Sequence, residues 1–488
     1  MDVQGIRNIG KKLKAFLKQF DDCFYRSQPT RHLFNYMLGQ MSGLQRKSVE
    51  PIALQAKTPP RTLQRFLSSV QWDHPRMRDR IQWFVAKEYA HPKAIGTVDE
   101  TGHPKQGCHT AAVQRQYCGA TGKIDNCVMS VHIGYTAGDF QCLLDSDVYL
   151  PKEWANDMSR RKVAGIPDDV IYRKKADIAL AQIRHALANG VRVTAWTFDE
   201  WYGRDGEFLD ELEGLGQNYV GEVPSDFTGW LYEPDILLCP TAQDRHKRGR
   251  KKHFPRLSAK ALPASEVRNL LVYSRVFQKQ KWKKFHVKNG DNGPIVWEIK
   301  HAPLYRKQGE DGLPCGMHYL IIARNVRNPD EIKYFVSNMI PGSKDITLEW
   351  LLWVGFSRWP IEKCFRQSKD ELGMDHFETR SWDGIHRHLY ISNLSLLFCA
   401  HIHQRLREKN DTKPVPDCGD GTLLCLDMGV GSNTAAVCTF DTLSRGRGDN
   451  SLSSEPQPAG KILPYERNVA ATSQYGYRSR NTALLYTL

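Results

Sequence analysis

No run in this chain approaches the roughly 18 consecutive apolar residues that a membrane-crossing helix requires. The opening Met1-Asp2-Val3-Gln4-Gly5 lacks the apolar core of a secretory leader, so a cytoplasmic protein without a membrane partner is expected. Twelve cysteines are present, yet none forms a C-x-x-C pair and none stands at a Cys/His spacing that reads as a zinc site. Reduced, mostly buried thiols follow. No internal repeat is visible. Acidic residues are the scarcer charge: 54 Asp+Glu against 68 Lys+Arg leave a formal +14 at pH 7. That balance favours polyanionic partners, nucleic acid first, although ribosome-associated and membrane-surface proteins share the footprint. At 488 residues the chain has room for about two to four domains.

Residues 1–90 read as helical. Phe16, Leu17, Phe20 and Phe24 recur at helical spacing, as do Leu33, Met37 and Met41. The segment 47–72 has the look of a helix-turn-helix, with Thr58-Pro59-Pro60 as its turn. In its second helix Leu63, Phe66 and Leu67 face inward. Arg61, Gln64 and Arg65 then face outward, and these residue types contact phosphates and purine edges. Residues 91–224 change to an α/β alternation with a mixed sheet: four strands, a helix from Ala176 to Ala188, a strand, a helix and a strand. Residues 225–345 form a basic, β-rich insertion. Cations crowd 245–256 and 279–284, and Lys251, Lys252, Lys283 and Lys284 are the candidates to track a DNA backbone. Helical patterning resumes over 346–410, and 411–488 is a poorly patterned tail, loosely ordered by composition.

Three carboxylates carry the chemistry. Asp99 and Asp199 each close an apolar strand, Ala94–Val98 and Val191–Phe198, where a rigid backbone can fix a charge in a cleft. Glu362 lies in Arg358-Trp359-Pro360-Ile361-Glu362, and Pro360 suits a first helical turn. If that helix runs on, Glu362, Arg366 and Lys369 share one polar stripe at i, i+4 and i+7. Such a set of hard oxygen ligands suits Mg²⁺, with Mn²⁺ as a substitute. Two ions about 4 Å apart stabilise the attacking and leaving oxygens of a phosphoryl displacement.

From about Lys47 to Leu406 the chain resembles the DDE transposases of bacterial insertion sequences, most closely the insertion-sequence 701 group, a relative of the insertion-sequence 4 group. The resemblance is carried by Arg46-Lys47-Ser48-Val49-Glu50-Pro51-Ile52-Ala53, Pro59-Pro60-Arg61-Thr62-Leu63-Gln64, Asp99-Glu100-Thr101-Gly102, Arg115-Gln116-Tyr117-Cys118-Gly119, Tyr149-Leu150-Pro151-Lys152-Glu153-Trp154, and Asp199-Glu200 with Tyr202-Gly203-Arg204-Asp205. Its last block is Ile361-Glu362 with Phe365, Lys369 and Leu372-Gly373. It implies an RNase H-like catalytic domain with Asp99, Asp199 and Glu362 as the catalytic, metal-holding triad and two Mg²⁺ ions as cofactors. It also implies double-stranded DNA as partner, both terminal inverted repeats and target, and a homodimer assembled on that DNA near the bacterial nucleoid. The family's Tyr-Arg-Glu-Lys signature maps onto Arg358, Glu362 and Lys369, but its Tyr falls at Gly355. His103 stands where an aromatic such as Phe is expected, and the tail does not resemble the group's basic tails. The competing expectation is a catalytically decayed or repurposed DNA-binding protein.

Overall fold

The computed structural model describes residues 8–238, 253–290, 293–309, 312–342 and 346–410, plus two short strand pieces beyond them. The chain divides into two units, Met1–Ala436 and Val437–Leu488. The elements named below all belong to the first. Lys251, Lys252 and nearly all of the 411–488 tail lie outside the described residues.

The helical opening runs Ile9–Leu17, a 3₁₀ turn Lys18–Cys23, then Ser27–Gln40. Leu13, Phe16, Leu17, Phe20, Leu33, Tyr36 and Met37 point into one core. The next pair, Val49–Gln55 and Pro60–Ser68, buries Leu63, Phe66 and Leu67 and leaves Arg61, Gln64 and Arg65 exposed. Trp72 stacks on Phe66 and donates its indole N–H to the Phe66 carbonyl at 3.0 Å, closing that pair. Asp73 caps the helix His74–Glu88 through the Arg76 amide. These helices meet the long helix Trp382–Asn410 through buried polar contacts. Tyr36 bonds His388 at 2.9 Å, and Gln40 bonds both Ser392 and Ser395. The C-terminal helix of this unit therefore closes its N-terminal core.

The first sheet holds β1 (Ile95–Pro104), β2 (Gln114–Cys118), β3 (Lys123–Ala137), β4 (Phe140–Val148) and β5 (Ala195–Thr197). β3 is central: β1, β2 and β4 all pair with it antiparallel, and β5 lies parallel beside β1. Most of β3 is buried, which fits its apolar run. The helix Lys175–Ala188 covers it, with Gln182 donating to the Val131 carbonyl at 3.0 Å. Gly96 is flat against Trp196; a Cβ there would sit 2.3 Å from the indole. The chain is thus α/β with a mixed sheet, as its pattern implies.

β6 (Val220–Val223) belongs to a second sheet with β7 (Thr228–Trp230), β10 (Ser265–Glu266), β11 (Lys283–Gly290), β12 (Gly293–Gln308), β13 (Leu313–Asn325) and β14 (Ile332–Ser337). The strands β8 (Ile236–Leu237) and β9 (Arg256–Leu257) pair only with each other. Trp196 N–H donates to the Asn218 carbonyl at 2.8 Å and Glu222 N–H to the Phe198 carbonyl at 3.0 Å. Those bonds join β5 to β6, so the second sheet continues the edge of the first. Three of the short β-runs that the sequence suggests within 285–336 lie in longer antiparallel strands, because cross-strand pairing extends past the apolar stretches, while Ile332–Val336 gains one residue. One face of this sheet packs on Leu351, Leu352 and Val354 of the helix Leu348–Phe356, and the other on Val267 and Phe277. Arg306 on β12, almost fully buried, pairs with Asp210 and, at 3.2 Å, with Glu213 of the helix Gly206–Gly214. Tyr219 and His318 also bond Glu213, at 2.7 and 2.8 Å. This cluster clamps the second sheet to the α/β part. Among the described residues no helix is long and apolar enough to cross a membrane.

Candidate active site

β1 and β5 run parallel with Ile95 opposite Ala195 and Thr97 opposite Thr197. Asp99 and Asp199 therefore stand level, each two residues beyond that last rung. The Asp199 carboxylate caps the turn Glu200–Gly203, accepting from the Trp201 and Tyr202 amides at 3.1 and 3.3 Å. Asp99 stays in the strand. Its Oδ1 accepts from the Glu100 amide and its Oδ2 from Arg358 Nη1, both at 2.8 Å. The other guanidinium nitrogen, Nη2, pairs with Glu362 Oε1 at 2.7 Å, one turn along the helix Trp359–Arg366. One arginine thus spans Asp99 and Glu362, with about a quarter of its side chain exposed (24%). It ties Glu362, distant in sequence, to Asp99 on β1.

Acids outnumber cations around that arginine. Glu100 is held by Lys175 at 2.8 Å, and Glu222 by Lys333 at 2.8 Å. Burial pushes Asp99 up to about 8; Asp199, Glu100 and Glu362 add to the rise, and Arg358 opposes it. Asp199 is pushed up to about 6 by burial and Glu100, against the pull of Arg358 and the Tyr202 amide. The Tyr202 phenol is buried and driven well above its usual range by burial and by Glu100, Asp199 and Asp99. Asp99 and Asp199, raised chiefly by burial, stand with Glu362 as a set that offers only oxygen donors, which suits a hard divalent cation. Among the described residues no three His, Cys, Asp or Glu side chains already close on one point as a metal site. The guanidinium of Arg358 stands between two of the acids.

The stripe of Glu362, Arg366 and Lys369 along one helix needs correction. The α-helix ends at Arg366 and the chain widens into a π-turn, Gln367–Glu371. Arg366 is exposed. Lys369 turns back to β1 and donates to the Thr101 hydroxyl at 2.6 Å and the Gly102 carbonyl at 2.9 Å, and burial lowers its pKa. The bonds to β1, with Ser368 buried beneath the turn, account for the break in the α-helical path. Lys283 and Lys284 are exposed on β11. Lys175 escapes a reading of the sequence; Glu100 and Tyr202 stand in the blocks that carry the resemblance, but with no role of their own.

Two departures from the family pattern have structural reasons. Gly355 is buried, and a Cβ there would meet Phe335 at 3.1 Å and Val220 at 3.3 Å, which leaves no room for a tyrosine. Phe356 beside it packs against Trp297 and Phe335. His103 is fully buried against Phe377, and its Nε2 bonds Ser130 Oγ at 2.7 Å. From Ser130 a row of hydrogen bonds runs on to His132 at 2.6 Å, Ser146 at 2.6 Å and Asn393 at 2.8 Å. An imidazole serves there because the core supplies a hydroxyl at its polar edge.

Residues 19–294 match the family described as DDE superfamily endonuclease. That match takes in Asp99 and Asp199 and stops before Glu362. Over 358 residues the chain is 27% identical to a probable transposase for insertion sequence element IS701 from Microchaete diplosiphon, across 72% of this chain and 78% of that protein.

Proposed function

Because the chain belongs to the DDE superfamily endonucleases, we propose that it is the transposase of an insertion element, cutting element ends and joining them to target DNA. The observation that carries this reading is that Arg358 ties Glu362 to Asp99 on β1, with Asp199 level with Asp99 just past the parallel strand β5. The similarity to a probable insertion-element transposase supports it.

In this reading the first sheet and its helices are an RNase H-like catalytic domain. Asp99, Asp199 and Glu362 would hold Mg²⁺, two ions in the working complex, which would supply positive charge to the phosphate oxygens and to the attacking group. The chain's own acids set where that charge sits. Asp199 is oriented by the amides of Trp201 and Tyr202, and Asp99 by the Glu100 amide. Water attacks a phosphodiester at the element end, and the bond to the 3′ oxygen breaks to leave a free 3′-hydroxyl. That hydroxyl then attacks a target-strand phosphodiester, and the target's own 3′ oxygen departs. Arg61, Gln64 and Arg65 on the exposed helix face, with Lys283, Lys284 and Arg366, contact duplex DNA. Two copies assemble on paired ends.

Asp99→Ala, Asp199→Ala and Glu362→Ala are each expected to reduce Mg²⁺-dependent cleavage of an element-end duplex to background while the duplex is still bound. Turnover close to the parent's in any one of them removes that residue from the triad.

A further inference from the structure

Asp99 and Glu362 already have a cation. Nη1 of Arg358 is 2.8 Å from Asp99 Oδ2, and Nη2 is 2.7 Å from Glu362 Oε1. Among the described residues no other cation is paired with either acid. The neighbouring ammonium of Lys175 is committed to Glu100 at 2.8 Å. The guanidinium is planar and its donors point outward in a fixed fork, so the two acids it bridges are held at its own width. A divalent ion shared by both acids needs an oxygen of each drawn in to about 2.0–2.6 Å from a single centre. The guanidinium on Asp99 Oδ2 and Glu362 Oε1 therefore competes with it for the same two acids.

We propose that Arg358 is the built-in counter-ion of the acid cluster, and that a divalent cation takes Asp99 and Glu362 only as this guanidinium leaves them. The inference rests on the metal-dependent reading above and adds an order of events to it. Arg358 precedes Glu362 by four positions on the same side of one helix start. Its side chain can therefore swing away without moving the Glu362 backbone. The guanidinium then lacks an anion, and a DNA phosphate is the partner its geometry fits. Cation and phosphate binding are coupled through this one side chain, and such coupling is reciprocal. In the DNA-free protein Arg358 holds the acids together and keeps the cation affinity low.

The test is Mn²⁺ binding to the full chain without DNA, measured by calorimetry and by the spin-resonance signal of free Mn²⁺. Arg358→Ala and Arg358→Gln are expected to bind Mn²⁺ at least about tenfold tighter than the parent, within the usual range of site-to-site coupling. In chelator both should melt below the parent, and Mn²⁺ should raise their melting temperatures more than the parent's. Arg358→Lys keeps the charge and should stay near the parent in both measurements. Equal or weaker Mn²⁺ binding in the Ala and Gln variants overturns the proposal, because the guanidinium and the ion would not then compete. A different result sinks the metal reading itself: no Mn²⁺ bound by parent or variants, or binding unchanged in Asp99→Ala.

Discussion

Lys369 reaches from the turn after the Glu362 helix to the Thr101 hydroxyl, 2.6 Å away and two residues beyond Asp99. The lysine is a tether on the strand that carries Asp99. Lys369→Met is expected to slow single-turnover cleavage of a pre-bound element end by about tenfold or more, since small misplacements of reacting groups are costly. Thr101→Val, which removes only the acceptor, should slow it in the same direction. Unchanged affinity for DNA in both would separate this role from a phosphate contact. A normal rate in Thr101→Val would count against the tether.

The exposed pair Lys283 and Lys284 gives a second expectation. Each lysine that neutralises a phosphate contributes about 0.9 to the slope of log K against log[salt]. Replacing both with Ala should lower that slope by about 2 if both touch the backbone of B-DNA. Binding titrations across a salt series measure it, and an unchanged slope would turn this edge of the second sheet away from DNA.

Asp147 on β4 and His386 on the long C-terminal helix are 3.0 Å apart, with Arg173 on the other carboxylate oxygen at 2.7 Å. Burial would raise Asp147, but the bonds and charges of His386 and Arg173 reverse that and hold it down to about 2. His386 loses basicity to burial and regains more from Asp147, so it ends raised. The two signs oppose each other. Asp147 adds stability above its unfolded pKa of 3.8 and loses it as pH falls towards about 2. His386 adds stability below 6.5 and loses it as pH rises through its raised value. Asp147→Asn should therefore cost most between, near pH 5, by about 3 kcal/mol for a broken buried pair. Denaturant unfolding at about pH 3, 5 and 8 tests this, and a penalty that is flat with pH would refute it.

The Arg306 clamp yields a stability prediction. Arg306 is almost fully buried, whereas Asp210 and Glu213 keep 38% and 31% of their side chains exposed. Arg306→Ala leaves acids that water can partly solvate, so about 2–3 kcal/mol is expected, below the full cost of breaking a buried pair. Equilibrium unfolding gives the number. Limited proteolysis should then cut first within the second sheet.

What the sequence reveals and what it hides divide by distance along the chain. Asp99 and Asp199 are legible because each closes an apolar run, and apolar runs make strands. The inward set Leu63, Phe66 and Leu67 is legible from helical spacing alone. The bond from Arg358 to Asp99 spans 259 positions, and no local pattern encodes it. Arg358 is legible only through the resemblance, as the Arg of the Tyr-Arg-Glu-Lys signature with DNA as its expected partner, not as a counter-ion to Asp99. Lys369 misleads for the same reason: its partners Thr101 and Gly102 lie 268 and 267 positions away, and they draw it off the helical face that simple periodicity assigns. Lys175 carries no signal, since only the packing of its helix brings it to Glu100. The joining of β5 to β6 is equally silent, because both strands look like members of one ordinary alternation.

The row His103, Ser130, His132, Ser146 and Asn393 has a consequence for proton placement. Burial lowers both imidazoles, His103 well below its usual range and His132 to about 3, so both rings are neutral. Ser130 owns one proton and stands between the Nε2 atoms of both rings. It donates to one ring and accepts from the other. The tautomer of His132 then dictates that of His103, and the Ser146 hydroxyl at the far end dictates His132. With the Ser130 proton kept inside the row, two arrangements satisfy its links, each the reverse of the other; donation to the Thr101 carbonyl, at 3.5 Å, is the longer alternative. Ser146→Ala removes the partner of His132 Nδ1 and so frees the tautomer of His132, and with it that of His103, next to Gly102, whose carbonyl accepts from Lys369. A conservative change deep in the core is felt along β1, the strand that carries Asp99.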